Sequence, residues 1–286
     1  MNQLSDISTI KNVISRHGFH FSKSLGQNFL VNPDVCPQMA AECGAGKGVG
    51  VLEVGPGIGV LTAELAERAD KVVSIELDSH LIPVLNETLA GLSNVKIVNG
   101  DILKIDIRKL ISDEFEGMEV IVCANLPYYI TSPVIMRFLE ERLPISAITV
   151  MVQKEAAVRL CALPGTRACG AVSATVRYFS EPQILFGVDR SSFMPQPNVD
   201  SAVIRLDVRK EPAIQIKSEK NFFALVKAAF CQRRKTVLNS VSAGLALDKE
   251  QVAAALNNVG IVPNSRAEQL TMEQFAVFSN ELFSDF

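Results

Sequence analysis

Apolar and polar positions follow two different periods over the first half of the chain. Short apolar runs rich in β-branched residues predict buried strands, and apolar residues three or four positions apart predict helices. The first run, Val49–Val54, leads through glycines into a helical pattern that begins at Val60. Further strands are predicted at Val72–Leu77, Val95–Val98, Val120–Ala124 and Ala147–Val152, and helices at Ser79–Leu92, Ser132–Glu141 and Lys154–Ala162. Strands that alternate with helices predict an α/β fold with a mainly parallel, doubly wound sheet.

The last third of the chain has a different pattern. Two β-rich runs, Gln183–Val188 and Ala202–Val208, predict a hairpin-like pair that extends the sheet at one edge. A charged, proline-containing linker follows, and beyond it helical spacing dominates. Helices are predicted from Phe222 to Val237, at Glu250–Val259 and from near Thr271. We therefore expect one domain at 1–211, with a lead-in at 1–22, and a small all-helical domain at 212–286.

The composition is that of a globular protein with a sizeable core, because 48% of the 286 residues are hydrophobic. No apolar run reaches the length of a membrane span, and the N-terminus lacks the apolar core of a signal peptide. The six cysteines include no Cys-x-x-Cys pair, and there are three histidines. We expect free thiols in a reducing cytoplasm, no metal site and no membrane partner.

The distribution of charge is more informative than the net charge of −3. Residues 221–247 contain no acidic residue, and four cations fall among them: Lys227, Arg233, Arg234 and Lys235. Lys227 and Arg234 are seven positions apart, which predicts one helix face whose cationic edge meets phosphate. A solvated helix face, or charges that stabilise a helix C-terminus, would give the same pattern.

The glycines at 55, 57 and 59 directly follow the first strand. Such a strand, glycine turn and helix let the backbone approach a nucleotide-like ligand. A dinucleotide fold places its third glycine at position 60, where this chain has Val60. Together with Glu53, the spacing favours S-adenosylmethionine over NAD. A tight strand-to-helix turn without a ligand is the alternative.

Acidic residues follow the next two strands. Glu76 lies 21 residues after Gly55 at the end of the second strand, where a carboxylate accepts hydrogen bonds from a ribose diol. Asp101 ends the third strand and could accept from an adenine amine, with Ile102 packed on the ring. A solvated strand-end acid and a helix cap are the corresponding alternatives.

The fourth strand ends in Asn125-Leu126-Pro127-Tyr128. The exocyclic amine of adenine is a poor nucleophile, because its lone pair is delocalised into the ring. Acceptors on both amine hydrogens would localise that pair, and the Asn125 side chain and the Leu126 carbonyl are suited to this role. Tyr128 could stack on a base turned out of its helix. A buried turn with a core tyrosine is the alternative.

These motifs resemble the KsgA family of ribosomal RNA adenine dimethyltransferases, which is related to the erythromycin-resistance methylases and the mitochondrial dimethyladenosine transferases. The similar segments lie in order along the chain: GQNFL at 26–30, LEVGPGIG at 52–59, ELD at 76–78, NGD at 99–101, NLPYYIT at 125–131, QKE at 153–155, SSFMPQPNVDSAV at 191–203 and AFCQRRKTVLNS at 229–240.

The resemblance implies a Rossmann-like class I methyltransferase sheet and a function for each motif. It implies dimethylation of two adjacent adenosines in the 3′-terminal hairpin loop of 16S rRNA, within the immature 30S subunit. S-adenosylmethionine would be the cofactor and S-adenosylhomocysteine the product, in a cytoplasmic enzyme that we expect to be a monomer. The implied cofactor residues are Asn28, Leu30, Gly55, Gly57, Glu76, Asp101, Ile102 and Asn125. The implied catalytic residues are Asn125, Leu126, Tyr128 and Phe193, of which the two aromatics would clamp the target base.

Three other functions remain open. A non-catalytic assembly or transcription factor could share the fold, but the motifs at 53–59, 76 and 101 look intact. A resistance-type methylase would act on 23S rRNA, and the helical domain with its basic run argues for the small-subunit enzymes instead. An NAD-dependent oxidoreductase is disfavoured by Val60. The sequence pI of about 5.7 is low for an RNA binder, which favours a preassembled particle over naked RNA.

Overall fold

A computed structural model describes residues 3–19 and 28–284 of the chain. Gly26 and Gln27 of the GQNFL motif lie outside the described residues. The strands are β1 Phe29–Leu30, β2 Val49–Val54, β3 Lys71–Glu76, β4 Val95–Asn99, β5 Glu119–Asn125, β6 Ala147–Gln153, β7 Ser180–Val188, β8 Phe193–Met194 and β9 Ser201–Val208. The helices are α1 Ile7–Arg16, α2 Val35–Glu42, α3 Val60–Ala66, α4 Ile82–Thr88, α5 Ile107–Glu114, α6 Thr131–Glu140, α7 Lys154–Leu160, α8 Ala171–Phe179, α9 Glu219–Cys231, α10 Val237–Leu245, α11 Lys249–Asn258 and α12 Met272–Leu282.

Seven strands form one sheet in the order β4-β3-β2-β5-β6-β9-β7. The pairs β2–β3, β3–β4, β2–β5 and β5–β6 are parallel, and β9 runs antiparallel to β6. The predicted α/β class, the mainly parallel sheet and its extension at one edge are therefore confirmed. The strand order reverses between β2 and β5, and ligands bind at such a switch point in open α/β sheets.

The central strands are apolar throughout because they are covered on both faces. Every residue of β2 is buried, and so is every residue of β6 except its last. Parallel strands enclosed in this way have continuous apolar runs rather than alternation. β4 lies at one end of the sheet, and its residues are half-buried or exposed. The pattern along the chain therefore marks which strands occupy the middle.

The turn between β2 and α3 requires glycine at its last position. Gly59 is the N-cap of α3 and has φ +93°, in the left-handed region. A Cβ at this position would also lie 2.8 Å from Leu89 Cδ2. Both the backbone and the neighbouring side chain therefore disfavour any other residue here.

The chain forms two compact units. The first comprises 1–157 and 181–208, and the second comprises 158–180 and 209–286. The second unit thus contains α8 and the segment before it, in addition to the C-terminal helices; the pattern of the sequence did not predict α8. Within this unit Tyr178 donates a hydrogen bond to Glu219 at 2.7 Å, and its ring meets those of Phe179, Phe222 and Phe223.

The basic run lies in a turn between two helices. Helix α9 ends at Cys231, and α10 begins at Val237 with Thr236 as its N-cap. The expectation of one helix from Phe222 to Val237, with Lys227 and Arg234 on a shared face, is therefore wrong. Thr236 caps α10 by accepting from the Asn239 amide, so the chain starts a new helix there.

Candidate active site

A cleft in the first unit joins the glycine turn to the Asn125–Tyr128 turn. Its walls come from the carboxyl ends of β2, β3 and β5, from the segment after β4, and from Asn28–Leu30 and Phe193. All the residues predicted as catalytic or cofactor-binding line this one cleft. They come from parts of the sequence as far apart as Asn28 and Phe193, and the seven-stranded sheet and the short β1–β8 sheet bring them together.

Gly55 and Asn125 lie side by side at the switch point. Val54 pairs with Ala124 in the parallel β2–β5 ladder, so Gly55, the first residue after β2, lies level with Asn125, the last residue of β5. A Cβ added at Gly55 would lie 3.9 Å from the Asn125 carbonyl oxygen. The glycine turn and the Asn125 turn are therefore in direct proximity across the cleft.

The Asn125–Tyr128 turn is held in place by burial of one side chain and by two hydrogen bonds. The Leu126 side chain is buried, with 1% of its surface exposed. The Ile130 amide donates to the Pro127 carbonyl at 3.1 Å, and α6 starts at the next residue. The Tyr128 hydroxyl lies 2.7 Å from that of Ser201, a buried residue of β9. The pattern of the sequence gave no sign of this last contact.

Glu76 is buried at the end of β3. The Asp78 amide donates to Glu76 Oε1 at 2.8 Å, and Asn99 Nδ2 donates to the Glu76 carbonyl at 2.8 Å. Burial raises the pKa of the Glu76 carboxyl from 4.5 to about 7, against the lowering effect of the amides of Asp78 and Gly57. A cation or a hydrogen-bond donor in the cleft would favour its ionised form.

The segment after β4 is a compact turn. Asp101 Oδ1 accepts from the Leu103 amide at 2.9 Å, and the Asp101 carbonyl accepts from the amides of Lys104 and Ile105. Ile102 is buried, with 5% of its surface exposed, and lines the cleft. The Asp101 carboxylate therefore stabilises its own turn, and the residue contributes to the lining of the cleft.

Glu53 is a buried carboxylate whose involvement the sequence only suggested. Its Oε2 accepts from Thr62 and Ser74, both at 2.6 Å, and it lines the cleft. Among the described residues its Oε1 has no hydrogen-bond partner. Burial raises the pKa of this carboxyl to about 7, while the hydroxyls of Ser74 and Thr62 lower it.

The carboxyl groups of the cleft favour a ligand that is cationic or rich in hydrogen-bond donors. Its described lining contains the carboxylates of Glu53, Glu76 and Asp101, and no Lys, Arg or His. Nearby negative charge and an unpaired buried oxygen both attract a positively charged or donor-rich group. S-adenosylmethionine, with its sulfonium, ammonium and ribose hydroxyls, fits this set of donors and acceptors. In the described part of the chain, no three His, Cys, Asp or Glu side chains group as a metal site would require.

A short two-stranded sheet brings Phe193 to the cleft. β1 pairs antiparallel with β8, with Leu30 opposite Phe193 and Phe29 opposite Met194. Phe193 is 4% exposed, so it is a core residue as well as part of the lining. The Phe29 ring lies 3.4 Å from where a Cβ on Gly57 would stand, which places this small sheet against the glycine turn.

The four predicted RNA-binding cations lie in the second unit. Lys227, Arg233, Arg234 and Lys235 are all exposed. Arg233 Nη2 donates to the Arg167 carbonyl at 2.9 Å, so this guanidinium also holds the 167–169 segment against the turn.

No described helix is both long and apolar enough to cross a membrane.

The chain matches the family model described as ribosomal RNA adenine dimethylase over residues 18–283. It belongs to the ribosomal RNA adenine dimethylase family. The family predicted from the motifs is therefore confirmed, and with it the enzyme class, an adenine dimethyltransferase of ribosomal RNA. Membership in a methyltransferase family also implies the use of S-adenosylmethionine.

Relatives and solved structures agree with this family. Ribosomal RNA small subunit methyltransferase A from Alkaliphilus oremlandii is 47% identical over 283 residues, covering 99% of each chain. The protein of the same name from Bacillus mycoides is 46% identical over 286 residues, covering 98% of each. The 23S rRNA methyltransferase ErmE is 28% identical with a TM-score of 0.69, over 89% of this chain and 99% of ErmE. A dimethyladenosine transferase from Plasmodium falciparum is 25% identical with a TM-score of 0.72, over 87% and 95%. The predicted class I methyltransferase fold is confirmed.

Proposed function

We propose that this protein dimethylates the exocyclic amines of two adjacent adenosines in the 3′-terminal hairpin loop of 16S rRNA, using S-adenosylmethionine. The observation that carries the proposal is the single cleft in which Gly55 lies beside Asn125. The names of the relatives from Alkaliphilus and Bacillus support the small subunit as the target. The reaction would belong to subunit maturation and take place in the cytoplasm.

The cofactor would occupy the half of the cleft that follows β2, β3 and β4. When bound, S-adenosylmethionine supplies a methyl group activated by a positively charged sulfur. Glu76 would accept from the ribose hydroxyls, and the Asp101–Ile102 turn would hold the adenine. Gly55 and Gly57 allow close approach of the backbone, and Asn28 and Leu30 would cover the methionine end. Glu53 Oε1 offers a further acceptor in the same half.

The target adenine would occupy the half formed by the Asn125 turn. The Asn125 side-chain oxygen and the Leu126 carbonyl would each accept one hydrogen of the amine, which localises the nitrogen lone pair for attack on the methyl group. Asparagine supplies an acceptor without a fixed negative charge. No strong base is required, because the product ammonium can lose its proton to water after transfer. Tyr128 and Phe193 would stack on the two faces of the extruded base.

The second unit would contact the ribosomal particle. Four cations of this unit are exposed: Lys227, Arg233, Arg234 and Lys235. The segment 221–247 in which they lie contains no acidic residue. Contacts of this kind with phosphate supply affinity without reading sequence. We propose that residues 212–286 carry this contact, that a preassembled 30S precursor rather than naked RNA is the substrate, and that the enzyme acts as a monomer.

The test is methylation of defined ribosomal particles. Immature 30S particles and 50S subunits from a strain that lacks this protein are incubated with it and labelled S-adenosylmethionine, and the RNA is digested and analysed by mass spectrometry. We expect two adjacent N6,N6-dimethyladenosines in the 3′-terminal fragment of 16S rRNA. Label in 23S rRNA would support the resistance-type activity instead. Absence of label in both, with the particles still bound, would support a non-catalytic assembly factor.

A further inference from the structure

Arg137 connects the helix after the catalytic turn to the turn after β4. It lies in α6, which follows Asn125–Tyr128 directly. Its Nη1 donates to the Ile102 carbonyl at 2.5 Å and its Nη2 to the Ile105 carbonyl at 2.9 Å. Its Nε donates to Glu141 Oε1 at 2.7 Å, and 19% of the side chain is exposed. Each of the three guanidinium nitrogens therefore donates a hydrogen bond.

These bonds hold the Asp101–Ile105 turn at its second residue, Ile102, and at its last, Ile105. The turn closes on itself through the Asp101 carbonyl, which accepts from the amides of Lys104 and Ile105. Nothing in that closure sets where the turn lies relative to α6. The planar guanidinium, with two donors on two carbonyls and a third on Glu141, does so with little conformational freedom.

Arg137 itself does not line the cleft, whereas Asp101 and Ile102 do. We propose that Arg137 is a positioning residue that holds the Asp101–Ile105 turn, the nucleoside end of the cofactor cleft, in the geometry that binds the adenine. The inference rests on the proposed cofactor site, because it acts through the residues assigned there to the adenine.

A positioning effect has a distinct signature in binding and rate. Loss of the clamp should weaken every ligand that carries the adenine by the same factor, whether or not it has a methionine group. It should leave the rate at saturating cofactor close to the wild-type value, since the Asn125 acceptors stay in place. A general loss of fold would instead lower the rate and the melting temperature together.

Arg108 provides a matched control in the same corner of the first unit. Its Nη2 donates to the carbonyls of Glu141 at 2.6 Å and Arg142 at 2.9 Å, and therefore ties down the end of α6 without touching the Asp101–Ile105 turn. Arg108→Gln removes a guanidinium and two carbonyl bonds; Arg137→Gln removes the same and, in addition, the bond to Glu141 Oε1. A comparison of the two variants separates the clamp from general support of α6.

The experiment is calorimetric titration of S-adenosylhomocysteine and 5′-methylthioadenosine into the full-length protein, with rates at saturating S-adenosylmethionine. We expect Arg137→Gln to raise both dissociation constants about tenfold, because the turn that holds the adenine loses its contacts with Arg137. The kcat should stay within about twofold of the wild-type value. Arg137→Lys, which keeps the charge and can reach one carbonyl, should give an intermediate rise and serves if the glutamine variant does not fold. Arg108→Gln should stay within about twofold of wild type.

Several outcomes would overturn the inference. Wild-type affinity for both ligands in Arg137→Gln, an equal loss in Arg108→Gln, or a fall in kcat with unchanged affinity would each contradict it. A third variant, Glu76→Gln, distinguishes failure of the Arg137 inference from failure of the proposed function. If Glu76→Gln weakens binding and Arg137→Gln does not, only the clamp is refuted. If the wild-type protein binds neither ligand, or Glu76→Gln binds normally, the proposed cofactor site itself is wrong.

Discussion

The Tyr128 hydroxyl lies 2.7 Å from the hydroxyl of Ser201, which is 73 positions later in the sequence. Ser201 starts β9 and pairs with Gln153 at the end of β6, the strand next to β5. The bond therefore ties the Tyr128 ring, in the turn proposed to be catalytic, to the neighbouring part of the sheet. Burial raises the pKa of Tyr128 and the bond to Ser201 lowers it, so the hydroxyl stays protonated and available as a donor at neutral pH.

Removal of this bond should weaken capture of the target base. We expect Ser201→Ala to raise the KM for the RNA substrate about fivefold, because one hydrogen bond that orients the ring is worth about 1 kcal/mol. The dissociation constant for S-adenosylmethionine should not change. Tyr128→Phe removes the same bond from the other side, so the two changes should not be additive in a double-mutant cycle of RNA KM values. Full additivity would show that the two residues act separately.

Phe193→Ala should affect RNA more than cofactor. Stacking of a base on an aromatic ring contributes about 1–3 kcal/mol, and its loss should appear as a higher KM for RNA. Phe193 is also 4% exposed, so the variant should be less stable by about 3–5 kcal/mol, and the assays belong well below its melting temperature. Titrations with S-adenosylmethionine provide the comparison. A larger loss of cofactor affinity than of RNA affinity would reject the stacking role.

The buried glutamates of the cleft, Glu53 and Glu76, should make the unliganded protein less stable at higher pH. Burial raises the pKa of Glu53, and likewise of Glu76, from 4.5 to about 7. Between these values the folded protein keeps protons that the unfolded chain has lost, so the free energy of unfolding falls as pH rises from about 4.5 to about 7 and then levels off. Denaturant unfolding at pH 5, 6, 7 and 8 measures this slope. Glu53→Gln should roughly halve it. An identical slope in the variant would contradict the role of burial at Glu53.

Gly59→Ala should destabilise the fold by about 1–3 kcal/mol, through a left-handed backbone and overlap with Leu89. The φ of +93° and the 2.8 Å approach to Leu89 Cδ2 are the two causes. Gly46→Ala is the control, because a Cβ there would meet no atom within 4 Å. Thermal unfolding of both variants is the measurement. Equal melting temperatures for the two would show that the turn can rearrange.

The mainly parallel character of the sheet and the position of the cleft followed from the sequence for a physical reason. Central parallel strands are buried on both faces, so their apolar runs stand out, and their carboxyl ends must meet at one edge. Glycines at 55, 57 and 59, Glu76 and Asp101 could therefore be assigned to one site before the structure was known.

Other features depended on contacts that local patterns do not contain. The bond of Ser201 to Tyr128 and the clamp of Arg137 on the Ile102 carbonyl join segments 73 and 35 positions apart. The break between α9 and α10 was missed because apolar residues keep helical spacing across it, while the cap at Thr236 sets the actual start of α10. Glu53 is an acid within a fully buried strand, and only the structure shows that one of its oxygens lacks a partner among the described residues.

The central claim is that the Asn125 turn activates an adenine amine beside the glycine turn, and single-turnover methylation by Asn125→Ala tests it most directly. The variant and the wild-type protein are mixed with 30S particles and saturating S-adenosylmethionine, and the first methyl transfer is timed. We predict a loss of about 10²–10³-fold in rate, as for removal of a preorganised electrostatic contact, with S-adenosylmethionine affinity within a few-fold of wild type. A single-turnover rate equal to that of the wild-type protein would contradict the account.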